Sequence, residues 1–260
     1  MPVVIGTSGW QYADWRGRFY PEGLAQAKWL AHYSTHFDTV ELNNSFYRLP
    51  AEDTFARWRD GTPERFVFSV KASRYLTHVR RLENPDEPVR RLMNHAGKLG
   101  AKLGPVLVQL PANLRRDVGA LKAVLAAFPR WTRVAFEPRH DSWFVDEVAD
   151  ALGAHDAALC LIDRPGAKPP LWRTAGWGYV RFHEGLARPR PCYGRTALAT
   201  WAERLAGLWS RDEDVYAYFN NDRGGCAVRD CHRFALAVTA AGLDPSTVPS
   251  AREAGRPGSV

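Results

Sequence analysis

Long apolar runs are missing from this sequence. No stretch approaches 18 uninterrupted hydrophobic residues, although hydrophobic residues make up 45% of the chain, so no membrane-spanning helix is expected. Cysteine is sparse. Cys160, Cys192, Cys226 and Cys231 are too few and too scattered for a disulfide framework, and no C-x-x-C pair offers a zinc or redox site. Cys226 and Cys231 stand five apart around a predicted helix start, but the expectation is reduced, packed thiols. Lysine is confined to positions 28, 71, 98, 102, 122 and 168, so arginine carries most of the formal charge of +7. That charge favours anionic partners: phosphorylated metabolites, nucleotides or nucleic acid. The chain also has no P-loop, no dinucleotide-binding glycine fingerprint and no nucleophile elbow, since Ser8-Gly9-Trp10 is not G-x-S-x-G. A Ser-His-Asp hydrolase is therefore not expected. With no secretory signal or transit peptide at its start, the chain is expected to be cytoplasmic.

What is present is a repeat of short apolar segments, each running into a polar residue. They cover 3–7, 39–43, 66–71, 106–109, 133–137, 158–163, 179–183 and 215–221. Between them, helical spacing of apolar residues predicts helices over 28–36, 52–59, 89–103, 118–128, 144–152, 196–209 and 229–241. Alternating strand and helix at intervals of roughly 30 residues predict an α/β fold, a single (β/α)₈ TIM barrel. A length of 260 residues suits one such barrel. The segment after Asp163, RPGAKPPLWRTAGWG, is too rich in Pro and Gly for a full helix, so the sixth crossover is expected to be reduced. The barrel is expected over 1–243, followed by a flexible C-terminal tail over 244–260, rich in Pro, Ser, Gly and Arg.

Strand parity then selects the side chains that face the barrel axis, because alternate residues point to opposite faces. With Val40, Leu42, Phe68, Val70, Val134, Phe136, Val180 and Phe182 outward, the inward set is Glu41, Asn43, Ser69, Lys71, Glu137, Arg181 and His183. Gln109 and Asp163 are assigned the same inward parity. Buried charges without partners are very costly, so these groups must meet one another, water or a ligand.

The segments GTSGWQYADWRGRFYP (6–21), FDTVELNNSFYRLP (37–50), FVFSVKASRYLTHVRRL (66–82) and LGPVLVQLP (103–111) resemble the YecE-like family, domain of unknown function 72 (DUF72). So do FEPRHDSW (136–143), YVRFH (179–183) and VYAYFNND (215–222). The resemblance runs to about Leu236 and implies a TIM barrel, but no particular reaction, substrate or cofactor. Carried over by position, its motif residues here are Trp10, Glu41, Asn43, Tyr47, Lys71, His78, Gln109, Glu137, Arg139, Arg181, His183, Asn220 and Asn221. Pro138 replaces an expected large apolar residue, and Glu184 an expected glycine.

Barrel enzymes work at the C-terminal ends of their strands. The expected catalytic residues are Glu41 and Glu137, as a proton-exchanging pair, and Lys71, as a base or amine nucleophile. Arg139 and Arg181, with Lys71, suit a phosphate or carboxylate. Asn43, Gln109 and Asn221 would orient hydroxyls or carbonyls, while Trp10 and Tyr47 are the aromatics nearest the mouth. A second anion grip is expected where Asn220 to Gly225 lead into the last helix, with Arg188, Arg190 and Arg195 close by. The remaining early aromatics (Tyr12, Trp15, Phe19, Tyr20) read as a hydrophobic lid.

The leading expectation is an enzyme for an anionic polar small molecule, such as a sugar phosphate or nucleotide, with hydrolysis, isomerisation and lyase chemistry all open. A nucleic-acid-binding or nucleic-acid-processing protein is the alternative. A metal-dependent hydrolase or isomerase, using His78, His140, His183 and nearby carboxylates, is a further one. No cofactor is expected, because the histidines lack local pairing and the neighbouring cations would repel a metal. A scaffold with a purely structural charged ring is the remaining possibility.

Overall fold

The computed structural model describes residues 3–166 and 169–255. Its strands are β1 (Val3–Thr7), β2 (Thr39–Leu42), β3 (Val67–Lys71), β4 (Leu103–Gln109), β5 (Val134–Glu137), β6 (Ala158–Asp163), β7 (Gly178–Phe182) and β8 (Val215–Phe219). All pair in parallel with their sequence neighbours, and β8 returns to β1, closing the barrel. The helices are α1 (Trp29–His36), α2 (Asn44–Tyr47), α3 (Glu52–Asp60), α4 (Asp86–Ala96), α5 (Val118–Ala127), α6 (Asp146–Gly153), α7 (Arg195–Leu208) and α8 (Cys226–Ala240). No helix among the described residues is long and apolar enough to cross a membrane. The sixth crossover, over its described residues, contains no helix.

Two apolar clusters show the parity at work. Val40, Leu42, Phe68, Val70, Phe136, Val180 and Phe182 pack outward with the helices. Leu107, Ala135, Cys160, Ile162, Tyr179 and Tyr218 fill the barrel axis. Each fully buried side chain of this kind contributes about 1.5–3 kcal/mol relative to exposure. Gly6 belongs to the inward parity of β1, and a Cβ there would lie 2.5 Å from the Thr39 carbonyl oxygen, so only glycine lets β1 and β2 close.

Several expectations need correction. Asp163 faces outward, where Trp201 Nε1 of α7 donates to it at 2.8 Å. In β6 both faces are apolar, so parity carries little signal there. The predicted helix over 89–103 ends at Ala96; Gly97 and Gly100 (φ 58°) break it into a short 3₁₀ segment before β4 begins at Leu103. Cys192 and Cys226 form a disulfide, while Cys160 and Cys231 are free and buried. The pairing of β7 with β8 brings the loop carrying Cys192 to the start of α8 across 34 residues, which local spacing does not reveal.

The expected flexible tail is tied down over 244–255. Val3 N donates to Asp244 O at 2.7 Å, Ser246 N to Val3 O at 2.9 Å, and Ile5 N to Ser246 Oγ at 2.9 Å. Thr247 N donates to Asp38 Oδ2 at 2.8 Å, and Ala254 is buried. Backbone pairing with β1, which composition does not register, outweighs the scarcity of apolar residues. Residues 256–260 lie outside the described residues.

Candidate functional site

The strand order brings four inward side chains to one mouth. Arg181 on β7 lies between two carboxylates from the far side of the chain. Its Nη2 donates to Glu41 Oε1 at 2.8 Å and its Nη1 to Glu137 Oε2 at 2.7 Å. All three are essentially inaccessible to solvent. The remaining acceptor positions are filled as well. Ser8 Oγ (2.7 Å) and Asn43 Nδ2 (3.2 Å) donate to Glu41 Oε1, and Tyr179 OH (2.7 Å) donates to Oε2. Gln109 Nε2 (2.8 Å) and Arg139 Nε (2.9 Å) donate to Glu137 Oε1. Ser8 and Tyr179 were not expected here. Tyr179 shares the parity of Arg181 and was legible from it; Ser8 stands one residue beyond its strand, where no periodicity applies.

These contacts set the charge states. Burial opposes ionisation of Glu41, but Arg181 and the hydroxyls of Tyr179 and Ser8 outweigh it and hold the carboxyl below its ordinary range. For Glu137, burial is again overcome, by Arg181, His183 and Arg139, and the carboxyl falls far below that range. Two carboxylates are therefore matched by two guanidiniums, with Lys71 as the surplus cation. Among the described residues its Nζ has no hydrogen-bond partner; it sits 4.2 Å over the Phe46 ring, and the residue is 8% exposed. Burial and the nearby Arg181 charge lower its pKa to about 8.

His183 and His78 rim the same mouth. Asn220 Nδ2 donates to His183 Nδ1 at 3.1 Å, leaving the ring proton on Nε2, which has no hydrogen-bond partner among the described residues and lies 3.8 Å from Glu137 Oε1. Burial and Arg181 lower His183 to about 4, so it is neutral near pH 7. His78, in a single π-helical turn (Tyr75–Val79), meets the Phe46 ring edge-on at 5.0 Å; burial and Lys71 lower its pKa too.

Other expected contacts lie elsewhere. Trp10 is 4% exposed and packs edge-on against Trp58 of α3 at 5.4 Å, inside the outer core. Asn221 turns away from the axis, donating to Asp230 Oδ2 at 2.8 Å and Pro191 O at 3.0 Å. Tyr47 is 77% exposed beyond the rim. The expected anion grip is filled by the chain itself: Gly224 N donates to Asp14 Oδ2 at 2.7 Å, and Arg188, Arg190 and Arg195 are exposed around it. His140 caps its own turn, accepting from Ser142 N at 3.1 Å. Among the described residues, no three His, Cys, Asp or Glu side chains are grouped so as to hold one metal ion. Tyr20 stacks on Trp29 at 4.6 Å, and Trp15, Phe19 and Tyr20 are buried as a hydrophobic layer.

Fold and site together define a parallel (β/α)₈ barrel with a saturated ionic cluster beneath its C-terminal mouth. The chain belongs to the DUF72 family, whose model, described as "Protein of unknown function DUF72", matches residues 4–253. It is similar to UPF0759 protein YunF of Bacillus subtilis, 29% identical over 264 residues that cover 86% of this chain and 90% of YunF. UPF0759 protein YecE of Escherichia coli K12 is 29% identical over 143 residues, covering 55% of this chain and 50% of YecE. A DUF72 family protein from Thermotoga maritima matches in structure with a TM-score of 0.82 at 27% identity, covering 92% of this chain and 100% of that one. A second, from Enterococcus faecalis, gives 0.76 at 20% identity, covering 91% and 95%, and speaks to the fold alone.

Proposed function

We propose that this protein is an enzyme that binds an anionic, polar small molecule over the Glu41–Arg181–Glu137 cluster and uses Lys71 to transfer a proton. The carrying observation is Lys71 itself: a largely buried residue at a strand end, its amine without a hydrogen-bond partner among the described residues and titrating near pH 8. A proton-transfer group works best when its pKa lies near the working pH. The glutamates serve this reading differently from a proton-exchanging pair. Each carboxylate is saturated with donors and held ionised, so together they fix Arg181 and Arg139 in place. Arg139, whose side chain is 25% exposed, supplies the attraction for an anion.

Such a site suits abstraction and return of a proton next to a bound carboxylate or phosphate, as in isomerisation or elimination. The test is proton exchange in deuterated water, followed by NMR, across a panel of phosphorylated and carboxylated metabolites. The expected result is exchange at one C–H position, lowered about 10²–10⁴-fold in Lys71→Met. Undiminished exchange in a folded Lys71→Met protein sinks the assignment.

A further inference from the structure

Beside the mouth, past the ends of β2 and β3, lies a groove of about 1030 Å³ walled by the segments after those strands and by α4. Arg48, Arg74 and Arg91 line it, all exposed, and none of their side chains has a hydrogen-bond or ion-pair partner among the described residues. Some exposed arginines elsewhere pair with carboxylates, Arg65 with Asp38 and Arg173 with Glu213, whereas these three share one concave lining. In the groove three guanidiniums face a single carboxylate, that of Glu87. Two phenol rings share the lining, Tyr47 at 77% and Tyr75 at 44% exposed. Phe46 stands between the groove and Lys71: its ring meets Tyr47 edge-on at 5.0 Å and lies 4.2 Å from Lys71 Nζ.

We infer that this groove binds a nucleoside phosphate, with the base stacked on the open ring of Tyr47 and the phosphates among Arg48, Arg74 and Arg91. Each half of the lining answers one half of such a ligand. Unpaired guanidiniums meet phosphate oxygens through charge-assisted, two-pronged hydrogen bonds. An aromatic face exposed to water gains from base stacking, and a sugar phosphate offers no such face. The volume is at the upper end of small-molecule sites, enough for base, ribose and two phosphates. The inference concerns a groove whose lining does not include Lys71, so it goes beyond the proton-transfer reading and does not depend on it.

The test is isothermal titration of the full chain with ADP, GDP, CDP and UDP, using ribose 5-phosphate, inorganic phosphate and adenosine as partial probes. At least one diphosphate binds about tenfold or more tightly than ribose 5-phosphate, a gain of about 1.4 kcal/mol. Tyr47→Ala removes that advantage, and the Arg74→Ala/Arg91→Ala double variant weakens the diphosphate by about tenfold or more. Diphosphate affinity is read by titration and proton exchange by NMR, so groove and mouth are scored separately. The inference is overturned if no diphosphate binds, or if ribose 5-phosphate or phosphate binds as tightly. It is also overturned if a single-stranded oligonucleotide displaces ADP with an affinity that falls steeply with salt, the behaviour of a polymer track.

Discussion

Replacing Arg181 by methionine removes the cation between two buried carboxylates while keeping much of its apolar stem. Glu41 then retains Tyr179, Ser8 and Asn43, and Glu137 retains Arg139 and Gln109. Breaking a buried pair by deleting one partner costs about 3–5 kcal/mol. The remaining donors argue for the lower end, about 3 kcal/mol, or roughly 6–12 °C in Tm for a domain of this size. The pH dependence distinguishes this cause from lost packing. In the native protein both carboxyls lie below their unfolded values, so their stabilisation is present above about pH 4.3 and is lost as pH falls through the folded values. Without Arg181, burial dominates and at least one carboxyl rises above its unfolded value. The folded state then takes up a proton as pH falls, and the deficit shrinks between about pH 7.5 and about pH 5. Urea denaturation at both pH values measures it, and Arg181→Met/Glu137→Gln should recover part of the loss. A deficit below about 1 kcal/mol, or one equal at the two pH values, refutes the reasoning.

Further outcomes follow from the same geometry. Lys71 has a folded pKa of about 8, below its unfolded value, so its burial penalty is complete below pH 8 and fades as pH rises toward about 10.4. Lys71→Met is therefore more stable than the parent near pH 7, and the difference narrows near pH 9; denaturation at both settles it. Thiol titration of the denatured, unreduced chain should count two thiols, Cys160 and Cys231, and finding four refutes the Cys192–Cys226 bond. Reducing that bond is expected to cost about 3–4 kcal/mol from the 34-residue separation it spans. Ending the chain after Leu243 removes the pairing with Val3 and Ile5 and should lower Tm by several degrees. An unchanged Tm would make that segment dispensable.

The sequence by itself determined the barrel and the charged side chains that face its axis. Period-two alternation is local, so Glu41, Lys71, Glu137 and Arg181 could be assigned to the axis without knowing how far apart they stand in the chain. Gln109 and His183 were legible in the same way. Where alternation is silent, local reasoning failed. In β6, apolar residues on both faces hid the outward turn of Asp163, and in the loops no period revealed that Trp10 packs on Trp58 or that Asp14 fills the Gly224 turn. Tertiary structure alone decided who meets whom. Glu41 and Arg181 are 140 residues apart, and their contact exists only because the closed barrel sets β2 and β7 across one narrow axis. That closure saturates both carboxylates and leaves Lys71 as the mouth's titrating cation, because ionisation follows the three-dimensional arrangement of charges and solvent rather than residue type.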